Sequence, residues 1–357
     1  MKTCHQVFFG DARRLDPLAG ESVELVVTSP PYPMIEMWDA AFSRMNPAIA
    51  GALEGGEGNH AFELMHLELD KVWRECFRAL RTGGIACVDI GDAVRTIGGD
   101  FQIYSNHARL IQAMLKAGFV QLPDILWRKP TNAPNKFMGS GMLPAGAYVT
   151  YEHEYILIFR KGGKREFKTP EERHRRRESA FFWEERNVWF SDVWMDLKGT
   201  GQGLAERAGR DRSGAYPFEL AYRLICMHSV YGDTVLDPFL GTGTTMAAAI
   251  ASGRKSVGVE LDKGLSGAIK ETVKGGVAAG RQRAADRLAA HREFVAARCV
   301  AGKGMKHCNA AHGFPVVTAQ ETGMVIYVPG HLEEISPGRF AAEHEVVAGG
   351  TIGQLIQ

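Results

Sequence analysis

Ser29 and Tyr32, separated by the double proline Pro30-Pro31, form the first pattern in this chain that could do chemistry. The apolar run Glu24-Leu25-Val26-Val27 predicts a strand, which Thr28 closes and the prolines stop. Proline has no N–H and a fixed φ, so it cannot extend a strand ladder. The result is a stiff elbow that holds the Ser29 hydroxyl, two backbone carbonyls and the Tyr32 ring at a strand's carboxyl end, where open α/β sheets place their ligands. A rigid polar recess beside an aromatic plate suits a flat nucleobase with an exocyclic amine, read at its edge and stacked on its face. Taken alone, the motif is equally compatible with an ordinary turn.

A second pattern lies far downstream. Thr234-Val235-Leu236-Asp237 reads as a buried strand, Pro238-Phe239-Leu240-Gly241-Thr242-Gly243 as a glycine turn, and Thr244-Thr245-Met246 as a helix start. Gly241 and Gly243 let backbone approach a ligand, and a threonine can cap the helix. No Gly-Lys-Ser/Thr follows, so this is not a nucleoside-triphosphate loop, and Met246 stands where a dinucleotide fingerprint has its third glycine. The next predicted strand, Lys255-Ser256-Val257-Gly258-Val259, ends in Glu260, placed to accept hydrogen bonds from ribose hydroxyls.

Together the motifs resemble those of the DNA amino-methyltransferases. Their elbow is Asp/Asn/Ser-Pro-Pro-Tyr/Phe, and their S-adenosyl-L-methionine loop reads Asp-Pro-Phe-x-Gly-x-Gly-Thr-Thr. Here the elbow precedes the cofactor loop, an order similar to the beta group of that family. The glutamine methyltransferases of release factors share an Asn-Pro-Pro-Tyr elbow but keep the cofactor loop first. The resemblance implies an α/β fold with a Rossmann-like mixed sheet in circularly permuted motif order, an inserted recognition segment and a carboxyl-terminal appendage. It implies catalysis by Ser29, Pro30, Pro31 and Tyr32. It also implies S-adenosyl-L-methionine held by Asp11, Thr28, Pro217, Asp237, Pro238, Phe239, Gly241, Gly243, Thr244 and Glu260, with Asp11 near the adenine.

The elements that must position these groups follow from pattern. Gln6-Val7-Phe8-Phe9 predicts the strand that delivers Asp11. Val72, Cys76, Ala79 and Leu80 recur at helical spacing, predicting a helix over residues 69–80 that Gly83-Gly84 ends. A strand over 85–90 closes with Gly91-Asp92, and residues 118–129 and 154–159 read as a final hairpin with an irregular insertion. Residues 213–220 match the element that covers the methionine end of the cofactor, and the glycines of 51–59 suggest a lid or a plain loop. The expected units are 1–160 (catalytic half), 161–212 (target recognition), 213–275 (cofactor half) and 276–357 (a helix and small β appendage).

The chain has 357 residues, 45% of them hydrophobic, which is ample for a core, and a net charge of +1 neither demands nor excludes nucleic acid. Its six cysteines form no CxxC pair, so a reducing cytoplasm beside the nucleoid is expected, with no membrane partner. None of them follows a proline, which excludes the carbon-5 cytosine methyltransferases and their thiol nucleophile. His307, Cys308 and His312 match no standard zinc spacing, so no metal is expected. Residues 161–177 are locally basic and fall in the family's recognition slot, which points to DNA contact by Arg173, Arg175, Arg176 and Arg177; a solvated charge run is the alternative. The arginines within 278–299 suit a packing helix with a solvated face better than a helix on DNA.

The chemistry the resemblance implies is direct methyl transfer from S-adenosyl-L-methionine to an exocyclic amine of double-stranded DNA. Hydrogen bonds from the amine to Ser29 Oγ and the Pro30 carbonyl would free its lone pair, and Tyr32 would stack on the extruded base. Serine in the first position is similar to the N4-cytosine group, aspartate there being the usual N6-adenine form. A non-catalytic binding protein on the same fold is the contrasting class. A restriction endonuclease acting on the same site, without stable binding, is a possible companion.

Overall fold

The computed structural model describes residues 1–129, 138–198 and 216–347. Eleven strands form one sheet: β1 (Lys2–Phe9), β2 (Val23–Thr28), β3 (Leu80–Ile90), β4 (Phe119–Gln121), β5 (Ile125–Arg128), β6 (His153–Lys161), β7 (Val193–Trp194), β8 (Thr234–Asp237), β9 (Lys255–Glu260), β10 (Tyr327–Ser336) and β11 (Arg339–Val346). Their order is β7-β5-β6-β3-β2-β8-β9-β1-β11-β10, with β4 also paired to β6. The five central strands, β3-β2-β8-β9-β1, are parallel, and β6 and β11 flank them antiparallel. β2, and β3 from Ile85 to Ile90, are nearly continuous apolar runs because both faces are covered.

Helices α1 (Asp39–Met45), α2 (Ala48–Glu54), α3 (Gly58–Ala79) and α4 (Asn106–Ala117) share a core with one face of β2 and β3, including Val26, Val88, Leu69, Trp73 and Leu110. On the other face, α7 (Phe218–His228) and α8 (Thr244–Ala251) bury Leu220, Leu224, Ala248 and Ala249 against Leu25, Val27 and Cys87. α5 (Pro170–Glu178) and α6 (Trp183–Trp189) precede them, and α9 (Ser266–Val300) follows.

Several expected elements differ in extent. The helix expected over 69–80 begins at Gly58, and the strand after it starts at Leu80 and runs through Gly83-Gly84. Residues 51–59, read as a lid or loop, are mostly the end of α2 and the start of α3, and a Cβ on Gly56 would lie 3.1 Å from Gly98 Cα. The junction is a packed helix corner. The boundary expected at 275/276 lies within α9, and the β10–β11 hairpin extends the main sheet beside β1. Among the described residues, no helix is long and apolar enough to cross a membrane.

Candidate active site

The strand order reverses between β2 and β8, and this switch point is where an open parallel sheet leaves a crevice. Chain from both strand ends meets there around a cavity of about 700 Å³. Its walls include Asp11, Ser29, Pro30, Pro31, Tyr32, Asp237, Pro238, Phe239, Gly241, Thr244 and Glu260, all expected from the sequence. Thr28, Pro217 and Gly243, also expected at the cofactor, are not on the wall. Ser213, Gly214 and Ala215 lie outside the described residues.

Thr28 and Asp237 instead bind each other. Thr28 Oγ1 donates to Asp237 Oδ1 at 2.6 Å, Thr245 Oγ1 donates to Oδ2 at 2.5 Å, the Tyr216 hydroxyl lies 3.3 Å from Oδ2, and Phe239 N–H donates to Oδ1 at 3.0 Å. Burial raises the Asp237 pKa, against the pull of these donors. This carboxyl therefore ties the end of β2 to the cofactor loop. Gly243, at φ +95°, serves as the α8 N-cap and turns the loop into that helix.

Glu260 is oriented by backbone. Gly241 N–H donates to its Oε2 and Asp262 N–H to its Oε1, both at 2.8 Å, leaving one lone pair on each oxygen for a ligand's hydroxyls. A Cβ on Gly241 would meet nothing closer than the Phe239 carbonyl at 3.9 Å, so a side chain there would stand in open space at the cavity wall. Asp11 is held by Arg13, whose Nε lies 2.9 Å from Oδ2 and whose other end reaches Glu68. Burial works upward on Asp11, but the hydrogen bonds and charge of Arg13 hold its pKa below the usual value. A carboxylate held by backbone at the cavity wall, a glycine turn before a helix and an aromatic wall from Phe239 fit the nucleoside and methionine parts of S-adenosyl-L-methionine.

At the elbow, Ser29 Oγ–H donates to Tyr32 Oη at 3.1 Å. Tyr32 Oη–H lies 3.3 Å from Glu154 Oε2 and 3.4 Å from Asp89 Oδ2. Lys129 Nζ donates to Glu154 Oε1 at 2.8 Å. Burial, then the neighbouring Glu154 charge, pushes Asp89 well above the usual carboxylate range. Burial and both acids keep Tyr32 a neutral phenol. With the serine proton spent on Tyr32, the lone pairs of Ser29 are free to accept from an amine. Sequence reading missed Asp89 and Glu154. The signal was a single acid inside the apolar run Ile85-Ala86-Cys87-Val88-Asp89-Ile90, which is costly unless it is used.

The four arginines expected on DNA lie away from the cavity, a placement set by strand polarity. β6 runs antiparallel to β3, so chain leaving it at Lys161 emerges at the amino ends of the parallel strands, where Lys161 Nζ donates to the Leu80 carbonyl. Arg165 pairs with Asp233, just before β8, and Tyr231 N–H donates to Ser179 Oγ, just after α5. Arg173, Arg175, Arg176 and Arg177 therefore sit at the end of the sheet opposite the cavity. Arg176 rests on the Phe167 ring, 4.8 Å from its centroid. His312, weighed as a metal ligand, accepts from Ile326 N–H through Nε2 at 2.9 Å and stacks on Phe314.

A permuted doubly wound sheet with this loop, acid and elbow at its switch point defines an S-adenosyl-L-methionine-dependent methyltransferase. The profile of a family described as DNA methylase matches residues 23–271. The chain is 50% identical to the type II methyltransferase M.MthZI of Methanothermobacter thermautotrophicus over 341 residues, 95% of each chain. It is 49% identical to M.MjaI of Methanocaldococcus jannaschii over 282 residues, 76% of this chain and 91% of the relative. Among solved structures it is similar to a candidate DNA modification methylase of Thermus thermophilus complexed with S-adenosyl-L-methionine, with a TM-score of 0.60 and 34% identity over 76% of this chain and 94% of that one. The chain belongs to the DNA amino-methyltransferase family. It is a site-specific DNA methyltransferase that uses S-adenosyl-L-methionine.

Proposed function

We propose that this chain methylates the exocyclic N4 of cytosine in double-stranded DNA, with the target base extruded into the recess over Tyr32. What supports the base assignment is serine in the first position of the elbow, the form the N4-cytosine group carries; its proton, committed to Tyr32, leaves Ser29 an acceptor for an exocyclic amine. The bound cofactor supplies an electrophilic methyl group on a sulfonium. Ser29 Oγ and the Pro30 carbonyl accept the two amine protons, which disfavours delocalisation of the nitrogen lone pair into the ring and aims it along one line. As the N–C bond forms and the S–C bond breaks, the nitrogen must lose a proton. Ser29, Tyr32 and the Asp89–Glu154 pair form a hydrogen-bonded route for it that ends on the two carboxyl groups. Extrusion itself costs a few kcal/mol, offset by stacking on Tyr32. The relatives' designation as type II methyltransferases supports a role beside a cognate restriction endonuclease that acts on the same site without stable binding, on DNA of the cytoplasmic nucleoid.

The test is chemical. DNA methylated by the purified enzyme, digested to nucleosides and read by mass spectrometry, yields N4-methylcytosine. N6-methyladenine would overturn the base assignment and leave methyl transfer standing, while no methylated nucleoside at all would leave only a binding protein.

A further inference from the structure

The double proline makes the elbow stiff but also strips it of donors, so something outside must fix its distance from the end of β3. One side chain spans that gap. Asn106, the first residue of α4 and fully buried, donates through Nδ2 to the Pro33 carbonyl and to the Gly91 carbonyl, each at 3.0 Å. Pro33 directly follows Tyr32, and Gly91 lies two residues beyond Asp89. The separation matters because Gly91 is where the Tyr32 ring rests. A Cβ on Gly91 would stand 3.1 Å from Tyr32 Cε2 and 3.2 Å from Glu154 Cγ. The remaining polar atom of Asn106, Oδ1, lies 3.0 Å from Nε2 of His66, itself fully buried on α3. An amide oxygen only accepts, so Nε2 must carry the hydrogen, and His66 Nδ1 is left without a partner among the described residues. The imidazole thus fixes which way the amide faces, and the amide ties both catalytic loops to α4.

We propose that Asn106, oriented by His66, is a positioning residue that sets the place of the Tyr32 ring between Gly91 and the incoming base. Neither residue lines the cavity, so both act only through the elbow. The proposal rests on the elbow being the site of methyl transfer and does not depend on which base is methylated.

Asn106→Asp keeps the shape and removes both donors. His66→Leu removes the group that orients the amide, and His66→Gln keeps an N–H for it. Single-turnover transfer of labelled methyl from S-adenosyl-L-methionine to mixed-sequence unmodified duplex DNA should fall about ten- to a hundredfold in Asn106→Asp and His66→Leu, the scale of a misplaced reacting group. His66→Gln should recover most of the rate. Calorimetric affinity for S-adenosyl-L-methionine should stay within about twofold in all three. Wild-type rates in folded Asn106→Asp and His66→Leu would overturn the proposal. So would a rate loss that merely follows weakened cofactor affinity, or a His66→Gln variant as slow as His66→Leu. If Ser29→Ala were also fully active, the elbow itself would be the error, so the two failures are distinguishable.

Discussion

Among the described residues the Ser29 side chain makes one hydrogen bond, to Tyr32, and offers its lone pairs outward; Tyr32 makes its bonds inward, to two acids. The two residues should therefore fail differently. Ser29→Ala leaves the prolines and the Tyr32 ring in place, so DNA and cofactor binding should persist while the single-turnover rate drops on the order of a hundredfold. Tyr32→Ala removes the stacking plate, worth roughly 1–3 kcal/mol, so it should weaken capture of the base as well as the rate. Equilibrium binding and single-turnover rates on the same two variants separate these outcomes. A Ser29→Ala enzyme at wild-type speed would remove the elbow from the chemistry. At this scale the sequence was legible where residues act in a contiguous motif. Asp89, Glu154, Asn106 and His66 each come from a different element, and only the sheet and its covering helices bring them to the elbow.

Elements carry a second lesson, about direction. The glycine loop and the elbow were placed by local pattern, since a strand that ends in prolines or in Gly-x-Gly announces its own carboxyl end. The basic run after β6 carried no such sign. Whether it emerges beside the cavity or at the far end depends on β6 being antiparallel to β3, a long-range pairing that no local spacing encodes. α5 is instead explained by its own ends. Thr169 and Glu172 form a capping box at its start, acids occupy the first turn, and Arg175, Arg176 and Arg177 face the negative end of the helix dipole. Replacing those three arginines with alanine should thus leave the slope of log affinity for DNA against log salt unchanged, whereas each phosphate no longer neutralised would make it shallower by about 0.9. A shallower slope would return α5 to the DNA interface. A modest drop in melting temperature is the expected cost, because the helix end then lacks its complementary charges.

For the molecule as a whole, the carboxyl-terminal third is bound to the catalytic sheet by charge as well as by the β10–β11 hairpin. Successive turns of α9 present Arg283 to Glu219 of α7, Arg287 to Glu185 of α6 and His291 to Glu184 of α6. Their spacing of four residues is close to one helix turn, so they form one stripe, whereas Arg281 donates to the Pro329 carbonyl, Arg298 lies over the Trp183 ring and Arg292 is exposed. Composition could not separate the two sets, and packing did. The middle pair is the most buried, with side-chain exposures of 6% for Arg287 and 10% for Glu185, and the guanidinium also lies over the Phe182 and Trp189 rings. Removing one partner strands a buried charge, while removing both does not. Arg287→Met should therefore cost about 3–5 kcal/mol in urea unfolding, and Glu185→Leu added to it should restore much of that loss, because two apolar side chains then replace two ions. Methyl transfer by the folded fraction should be unchanged, since neither residue lines the cavity. A single-variant loss under about 1 kcal/mol would mean that Glu185 finds water when its partner is gone, and that α9 is held by the hairpin and its apolar face alone.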